Sequence, residues 1–450
     1  MKKRSLFVLL FSMLFVLLAA CGSGGGGGGG GGSENSEGAD KTEVIGSDSK
    51  DATELTFWTF QELHINLFED AVTRWNKEFP DRPIKLKAEA YPYDNMHNNL
   101  LLALQSGKGA PDIVDIELGR FPNYLQGEPQ LLPMNEYVDP VRDEFIESRF
   151  DIYSKDGQNY GLPTHVGATV VFYNKEIMDK AGVDIDSIET WDDYIAAGKQ
   201  VVEKTDAVMT TLETGDYWSY WPLIKQQGSD FFDENGKLTL ANETNVKTLE
   251  FMHGLIHDEK IAEITPGGTH HEEEYYGFMN DGGAASVIMP MWYMGRFTDY
   301  MQDLKGKMVI RPMPKWTEDG NRSAGAGGTG TAVTNQTEHP ELAKEFLAYA
   351  KLSEEGNLAL WKIMGFDPPR WTVWENPAIK EDNKYYQYFG TDIFDTLLSI
   401  KDEIDSINIT EKNPLVQEQL STNVFNNVLR AENQSPEEAL KEAEAAISSN

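Results

Sequence analysis

The chain runs to 450 residues, 40 % of them hydrophobic and 11 % aromatic, enough for two sizeable cores when domains commonly span about 100 to 200 residues. Its 39 basic and 73 acidic side chains leave a formal net charge of −34, which repels nucleic acid and anionic lipid headgroups and disfavours a polyanionic ligand, so a neutral ligand fits best. The lone cysteine excludes an internal disulfide, and the fold must rest on burial.

Lys2, Lys3 and Arg4 precede an apolar run over residues 5–18 that closes on Ala19 and Ala20, the pattern of a secretory signal peptide over 1–20. The run is too short for a comfortable membrane span, and Leu18-Ala19-Ala20-Cys21, followed by Gly22, is similar to a bacterial lipobox. Cleavage before Cys21 frees its thiol for a diacylglyceryl thioether, and two or more acyl chains anchor a protein without a transmembrane helix. Cys21 is therefore the expected lipidation site, and the chain is expected on the extracellular face of the cell membrane, held by its lipid alone. An unbroken glycine tract over 24–32 and a polar stretch to about residue 53 follow, almost without apolar residues. They read as a tether over 21–53 with a root-mean-square span of roughly 30 Å.

From residue 54 the pattern changes. A short buried strand is predicted over 55–58, then an amphipathic helix whose Leu67, Phe68, Ala71, Val72, Trp75 and Phe79 recur at helical spacing. Pro80 and Pro83 end it, a second strand follows over 84–88, and a helical run over 96–104 stops at Gly107 and Gly109 before a strand over 112–116. This β-α-β-α-β order is the mark of a mostly parallel sheet with helices on both faces. After a crossover near 160–166, strands are expected over 169–173, 284–289 and 308–311, with helices over 175–181, 191–203 and 245–258. The C-terminal third reads as helical over 342–351, 353–364 and 435–447, the last opening on the capping sequence Ser435-Pro436-Glu437-Glu438.

Several phrases in this order resemble the extracellular solute-binding proteins of the maltose-binding type, family 1. They are Gly109-Ala110-Pro111-Asp112-Ile113, Tyr160-Gly161-Leu162-Pro163, Phe172-Tyr173-Asn174-Lys175 with Ala181-Gly182-Val183, Thr190-Trp191-Asp192-Asp193-Tyr194 and the block over 282–292. Within that family the chain looks like the arabino-oligosaccharide-binding lipoproteins of Gram-positive bacteria, on Tyr91-Pro92-Tyr93, the stretches 161–167 and 270–280, Trp292-Tyr293-Met294-Gly295-Arg296 and Gly365-Phe366-Asp367-Pro368. The resemblance implies a two-lobed α/β fold of the periplasmic-binding-protein type (type II), hinged around a ligand cleft. The first lobe would comprise 54–166 and 315–360, and the second 167–314 and 361–450. It also implies a monomeric sugar-binding subunit of an ABC importer, with permease subunits in the membrane, a cytoplasmic ATPase and no cofactor. A secreted glycoside hydrolase and a sugar sensor feeding a membrane kinase are the rival classes. No nucleophile-elbow, metal or phosphate motif supports an enzyme, although the abundant carboxylates do not exclude a glycosidase-like pair.

A sugar presents an apolar C–H face and a rim of hydroxyls, so its site needs flat aromatic surfaces with carboxylates, amides and guanidinium groups. Trp58, Gln61 and Glu62 stand where the first strand opens onto the cleft in such folds, with Trp58 equally readable as core. Glu117 and Arg120 follow the strand ending at Ile116, and the Arg120-Phe121 pair matches a sugar-contacting stretch of the maltose-binding type. Trp292, Tyr293 and Arg296 lie where the family places a stacking tryptophan. Gly327 and Gly328 belong to a glycine-dense stretch suited either to close backbone approach or to a mobile loop beside the hinge. Within 365–374, Arg370, Trp371 and Trp374 add surface for a long sugar chain, and about half of the aromatics of this stretch are expected to be packing only. His165 either contacts ligand or bonds the hinge. His270 faces either ligand or solvent, and with His271 it lacks the i, i+4 spacing of a helical metal pair, so no metal is expected there.

Overall fold

Alternate residues of two short segments turn inward, as a half-buried sheet demands. In β2 (Thr53–Thr59) these are Leu55, Phe57 and Thr59, and in β3 (Ile84–Ala90) they are Ile84, Leu86, Ala88 and Ala90. The computed structural model describes residues 39–405 and 407–449; the expected signal peptide, Cys21 and the glycine tract lie outside them. In the described part β3 pairs in parallel with β2, and β2 pairs in parallel with β4 (Ile113–Glu117). Strands β1 (Lys41–Gly46), β5 (Leu162–Pro163) and β11 (Thr329–Val333) complete a six-stranded sheet in the order β1-β3-β2-β4-β11-β5.

Two expectations are corrected here. The sheet is mixed, because β1 runs antiparallel to β3, and β11 antiparallel to both β4 and β5. The parallel rule holds only for the β2, β3 and β4 units, whereas β11 enters after a crossing from the other sheet. The tether expected to extend to residue 53 also stops short, since β1 is bound along its whole length to β3. Only Ile45 of β1 is buried and Val44 is 59 % exposed, so a backbone ladder holds this strand, and no apolar period announces it.

Helix Glu62–Glu78 covers one face of this sheet with Ile65, Phe68, Ala71, Val72 and Trp75, all buried at helical spacing. Helices Pro340–Leu352 and Glu354–Met364 pack against it. The second sheet is β9-β6-β10, with β6 (Thr169–Asn174) antiparallel to both β9 (Ser286–Pro290) and β10 (Met308–Arg311). Every residue of β6 is buried, as expected of a central strand covered on both faces. A parallel pair, β7 (Thr210–Leu212) and β8 (Ala262–Ile264), adjoins it through the Val208–Ala284 bridge. Helix Pro436–Ser448 starts on the capping box expected of Ser435 and Glu438. No helix of the described residues is long and apolar enough to cross a membrane.

Three segments cross between the sheets. The Thr164 N–H donates to Thr329 O at 2.9 Å, Ala326 N–H to Gly167 O at 2.8 Å and Thr169 N–H to Ala324 O at 2.9 Å, which sets the two crossing strands side by side. The third segment contributes Asp367, whose carboxylate accepts from the Gly167 and Ala168 N–H groups at 3.1 and 2.7 Å. Burial raises the Asp367 carboxyl to about 6, although those two N–H bonds favour its charge. Gly167 has φ 79°, and a Cβ there would fall 2.4 Å from Ala326 O, so close approach and backbone angle both require glycine.

Candidate functional site

Glu117 closes β4, and its carboxylate turns toward the second sheet. Oε2 accepts from the Tyr93 hydroxyl at 2.9 Å and from the Gly119 N–H at 2.8 Å, while Oε1 is enclosed without a hydrogen-bond partner. Burial lifts this carboxyl to about 7, assisted by the charge of Asp216 across the gap. His97 braces it from behind, donating Nδ1–H to Tyr93 O at 2.7 Å and accepting the Glu117 N–H on Nε2 at 3.1 Å. Burial holds the His97 ring neutral, its pKa lowered to about 3. Arg120 donates to Asp94 at 2.8 Å and lies over the Tyr93 ring at 5.5 Å.

The facing wall comes from the loop after β7 and from the C-terminal region. Burial raises the Asp216 carboxyl to about 6; it accepts from the Tyr217 N–H at 2.7 Å and from the Gln417 amide at 3.2 Å. Glu213 is fully buried and pushed well above the usual carboxylate range by burial and by Asp216, and its Oε2 has no partner. Asn413 lies so close to Gly119 that a Cβ on that glycine would fall 2.6 Å from its Nδ2. Beside these groups Trp218 meets Trp292 edge to face at 5.2 Å, and Trp292 stacks on His271 at 5.7 Å and 14°. Glu117, at the end of β4, thus feels the charge of Asp216 from the loop after β7, and Trp218, two residues beyond Asp216, meets Trp292.

Trp292 also lines a groove of about 320 Å³, where Gln61, Glu62 and Asn66 face Arg296 and Phe366. Four residues picked out from the sequence therefore meet in one place: Gln61, Glu62, Trp292 and Arg296. Gly327 belongs with them, since Trp292 Nε1 donates to Ala326 O at 3.2 Å and the indole covers the glycine, which has φ 81°. Another groove, of about 470 Å³, lies between Leu125, Asp151 and Lys155 on one side and Asp233, Asn408 and Thr410 on the other.

The remaining candidates are placed differently. Tyr293 is wholly buried and donates its hydroxyl to His270 O at 2.5 Å, so it is core, because the residue after Trp292 turns inward. His270 is 1 % exposed, with Nε2 held by Thr211 and Thr265 at 2.9 and 3.0 Å, so it is shut off from solvent and lines neither groove. Trp58 bonds Glu89 at 3.1 Å and packs on Tyr91, lining neither groove. Gly328 sits under the Tyr153 hydroxyl. Arg370 is bound to Glu144 and to Leu352 O, and Trp371 donates to Asp143 O at 3.0 Å; both fasten the first sheet's surroundings to the third crossing segment. His165 is buried against Phe366 at 4.8 Å with neither ring nitrogen bonded, so it makes no hydrogen bond to the hinge. Sequence reading missed Tyr93, Glu213, Asp216, Trp218 and Asn413 as site residues. The run Tyr217-Trp218-Ser219-Tyr220-Trp221, with two carboxylates just before it, is the signal that could have found three of them.

Residues 62–357 match the family described as bacterial extracellular solute-binding protein. The chain is 64 % identical over 412 residues to an arabinooligosaccharide-binding protein of Halalkalibacterium halodurans, with 92 % of this chain and 93 % of that one covered. It is 53 % identical over 394 residues to an arabinooligosaccharide-binding protein of Bacillus subtilis, with 87 % and 91 % covered. In structure it is similar to an ABC substrate-binding protein from Listeria monocytogenes in complex with cycloalternan, at a TM-score of 0.72 and 21 % identity over 89 % of this chain and 99 % of that one. That last likeness concerns the fold: two α/β lobes with a cleft between them.

Proposed function

The chain belongs to the bacterial extracellular solute-binding proteins, and from that premise we propose that it captures neutral arabino-oligosaccharides for an ABC importer. The names of the two close relatives support the sugar class, and the net charge of −34 suits a neutral ligand. The observation that carries the reading is the approach of Asp216, from the loop after β7, to Glu117, at the end of β4, beside the Trp218–Trp292 pair. The indoles offer flat surfaces to sugar C–H faces. A carboxyl that ionises near neutrality either donates to or accepts from a hydroxyl, and Glu117 Oε1, enclosed without a partner, is the oxygen that parting of the two walls would offer to a sugar.

Binding proceeds by closure about the three crossing segments. Each wall alone makes few contacts, and a ligand that touches both shifts the population toward the closed form by its difference in affinity for the two states. The lobes in this reading are 54–166 with 315–360, and 167–314 with 361–450, to which β1 adds residues 41–46. Permease subunits read the closed form, a cytoplasmic ATPase supplies the energy, and a lipid on Cys21 keeps the monomeric protein at the outer face of the membrane. X-ray scattering with and without an arabino-oligosaccharide tests closure. A smaller radius of gyration on saturation is expected, and an unchanged one at full occupancy contradicts the mechanism.

A further inference from the structure

We propose that His253, His257 and Glu432 form a site for a zinc-class divalent ion, outside the sugar cleft. The two histidines stand four residues apart on helix Glu243–His257, the spacing that puts two imidazoles on one helical face. Their rings lie 4.4 Å apart. His257 Nε2 is 2.9 Å from Leu429 O; a carbonyl only accepts, so this nitrogen carries the hydrogen, and Nδ1, on the other side of the ring, faces Glu432. An orienting hydrogen bond on the far nitrogen is the usual support of a metal-bound histidine.

The distances favour an ion over a simple hydrogen bond. His257 Nδ1 is 3.4 Å from Glu432 Oε1, and His253 Nε2 is 3.6 Å from Oε2. Both exceed the 2.7–3.2 Å of a normal hydrogen bond. Two ligands about 2.0–2.1 Å from one tetrahedral ion stand roughly 3.3 Å apart; one ligand atom from each of the three residues lies within 4.8 Å of the others, so small side-chain shifts would gather them on one ion. Glu432 is also one of three non-glycine residues among those described with positive φ, at 49°. The cluster opens onto a depression of about 550 Å³ that also holds Glu250, Asp258 and Glu438, with room for water at the fourth position. Two nitrogens and one carboxylate suit zinc and neighbouring transition ions better than calcium or magnesium, which prefer all-oxygen shells. Because helix Pro436–Ser448 packs on the helix that carries the histidines, an ion here would fasten the C-terminal segment to the second sheet's surroundings.

The test is a calorimetric titration of untagged, chelator-stripped and desalted protein with zinc chloride, beside thermal melts with and without zinc. One bound ion per chain and a higher Tm with zinc are expected, and His253→Gln with His257→Gln should weaken uptake by at least about tenfold. If that double variant melts early in chelator, Glu432→Gln takes its place, and the same loss is expected. No zinc uptake by the unaltered chain, or equal uptake by a folded variant, overturns the proposal.

Discussion

Replacing Glu117 by Gln separates the electrostatics of the cleft from its shape. The amide oxygen can take the place of Oε2 and keep the bonds from Tyr93 and Gly119, leaving the NH₂ where the unpartnered Oε1 stands. Glutamine therefore mimics the protonated acid without its titration. The folded carboxyl ionises near 7 against an ordinary 4.5, so below about 4.5 the acid is neutral in both states and its stability contribution is fully present. As pH rises through about 7 that contribution is lost, because the folded protein must then charge an enclosed group that the unfolded chain charges freely. The difference is worth roughly 3 kcal/mol at 1.36 kcal/mol per pH unit. Ligand-free wild type and Glu117→Gln, unfolded in urea from pH 4 to pH 8, should begin close in stability and diverge by about that amount, the variant being the more stable at pH 8. Asp216 and Glu213 titrate in both proteins and largely cancel in the comparison. Parallel curves across this range would refute the claim that Glu117 is held near neutral by its surroundings.

Trp292→Ala removes one wall of the groove and should cost on the order of 2 kcal/mol in sugar affinity, roughly thirty-fold, with a much smaller change in thermal stability; calorimetry and a melt on the same sample check this. Gly327→Ala must adopt a left-handed backbone and would place its Cβ 2.5 Å from Trp292 Nε1. A loss of about 1 kcal/mol or more of stability is expected, together with weaker binding because the indole is displaced, read by the same two assays. Cys21→Ser should leave folding and sugar binding intact but release the protein from cells, followed by fractionation after a high-salt wash.

Most of the framework is legible because it rests on period. The inward residues of 55–58 and 84–88 and the helical spacing from Leu67 to Phe79 each name a buried face, and these elements stand within a few residues of where they were expected. Strand β1 is illegible for the opposite reason: it lends a backbone edge, and Val44 faces solvent. Strand β11 hides in a glycine-dense stretch that reads as loop, yet Gly330 pairs with both Ile116 and Pro163. In the candidate site, the groove-lining Gln61, Glu62, Trp292 and Arg296 are legible because they follow strand ends. Asp216, Trp218 and Asn413 come from loops and from a helix start nearly 200 residues away along the chain, and only the fold brings them to Glu117. Tyr293 shows the limit of arguing from position, since one residue past Trp292 the side chain already points into the core.

The central claim is a saturable sugar site between the two sheets, and a calorimetric titration of the purified chain with a short arabino-oligosaccharide tests it most directly. One sugar per chain, bound tightly enough to saturate, is the expected result; a flat titration with arabino-oligosaccharides, under conditions where the protein is folded and another neutral oligosaccharide binds, would contradict it.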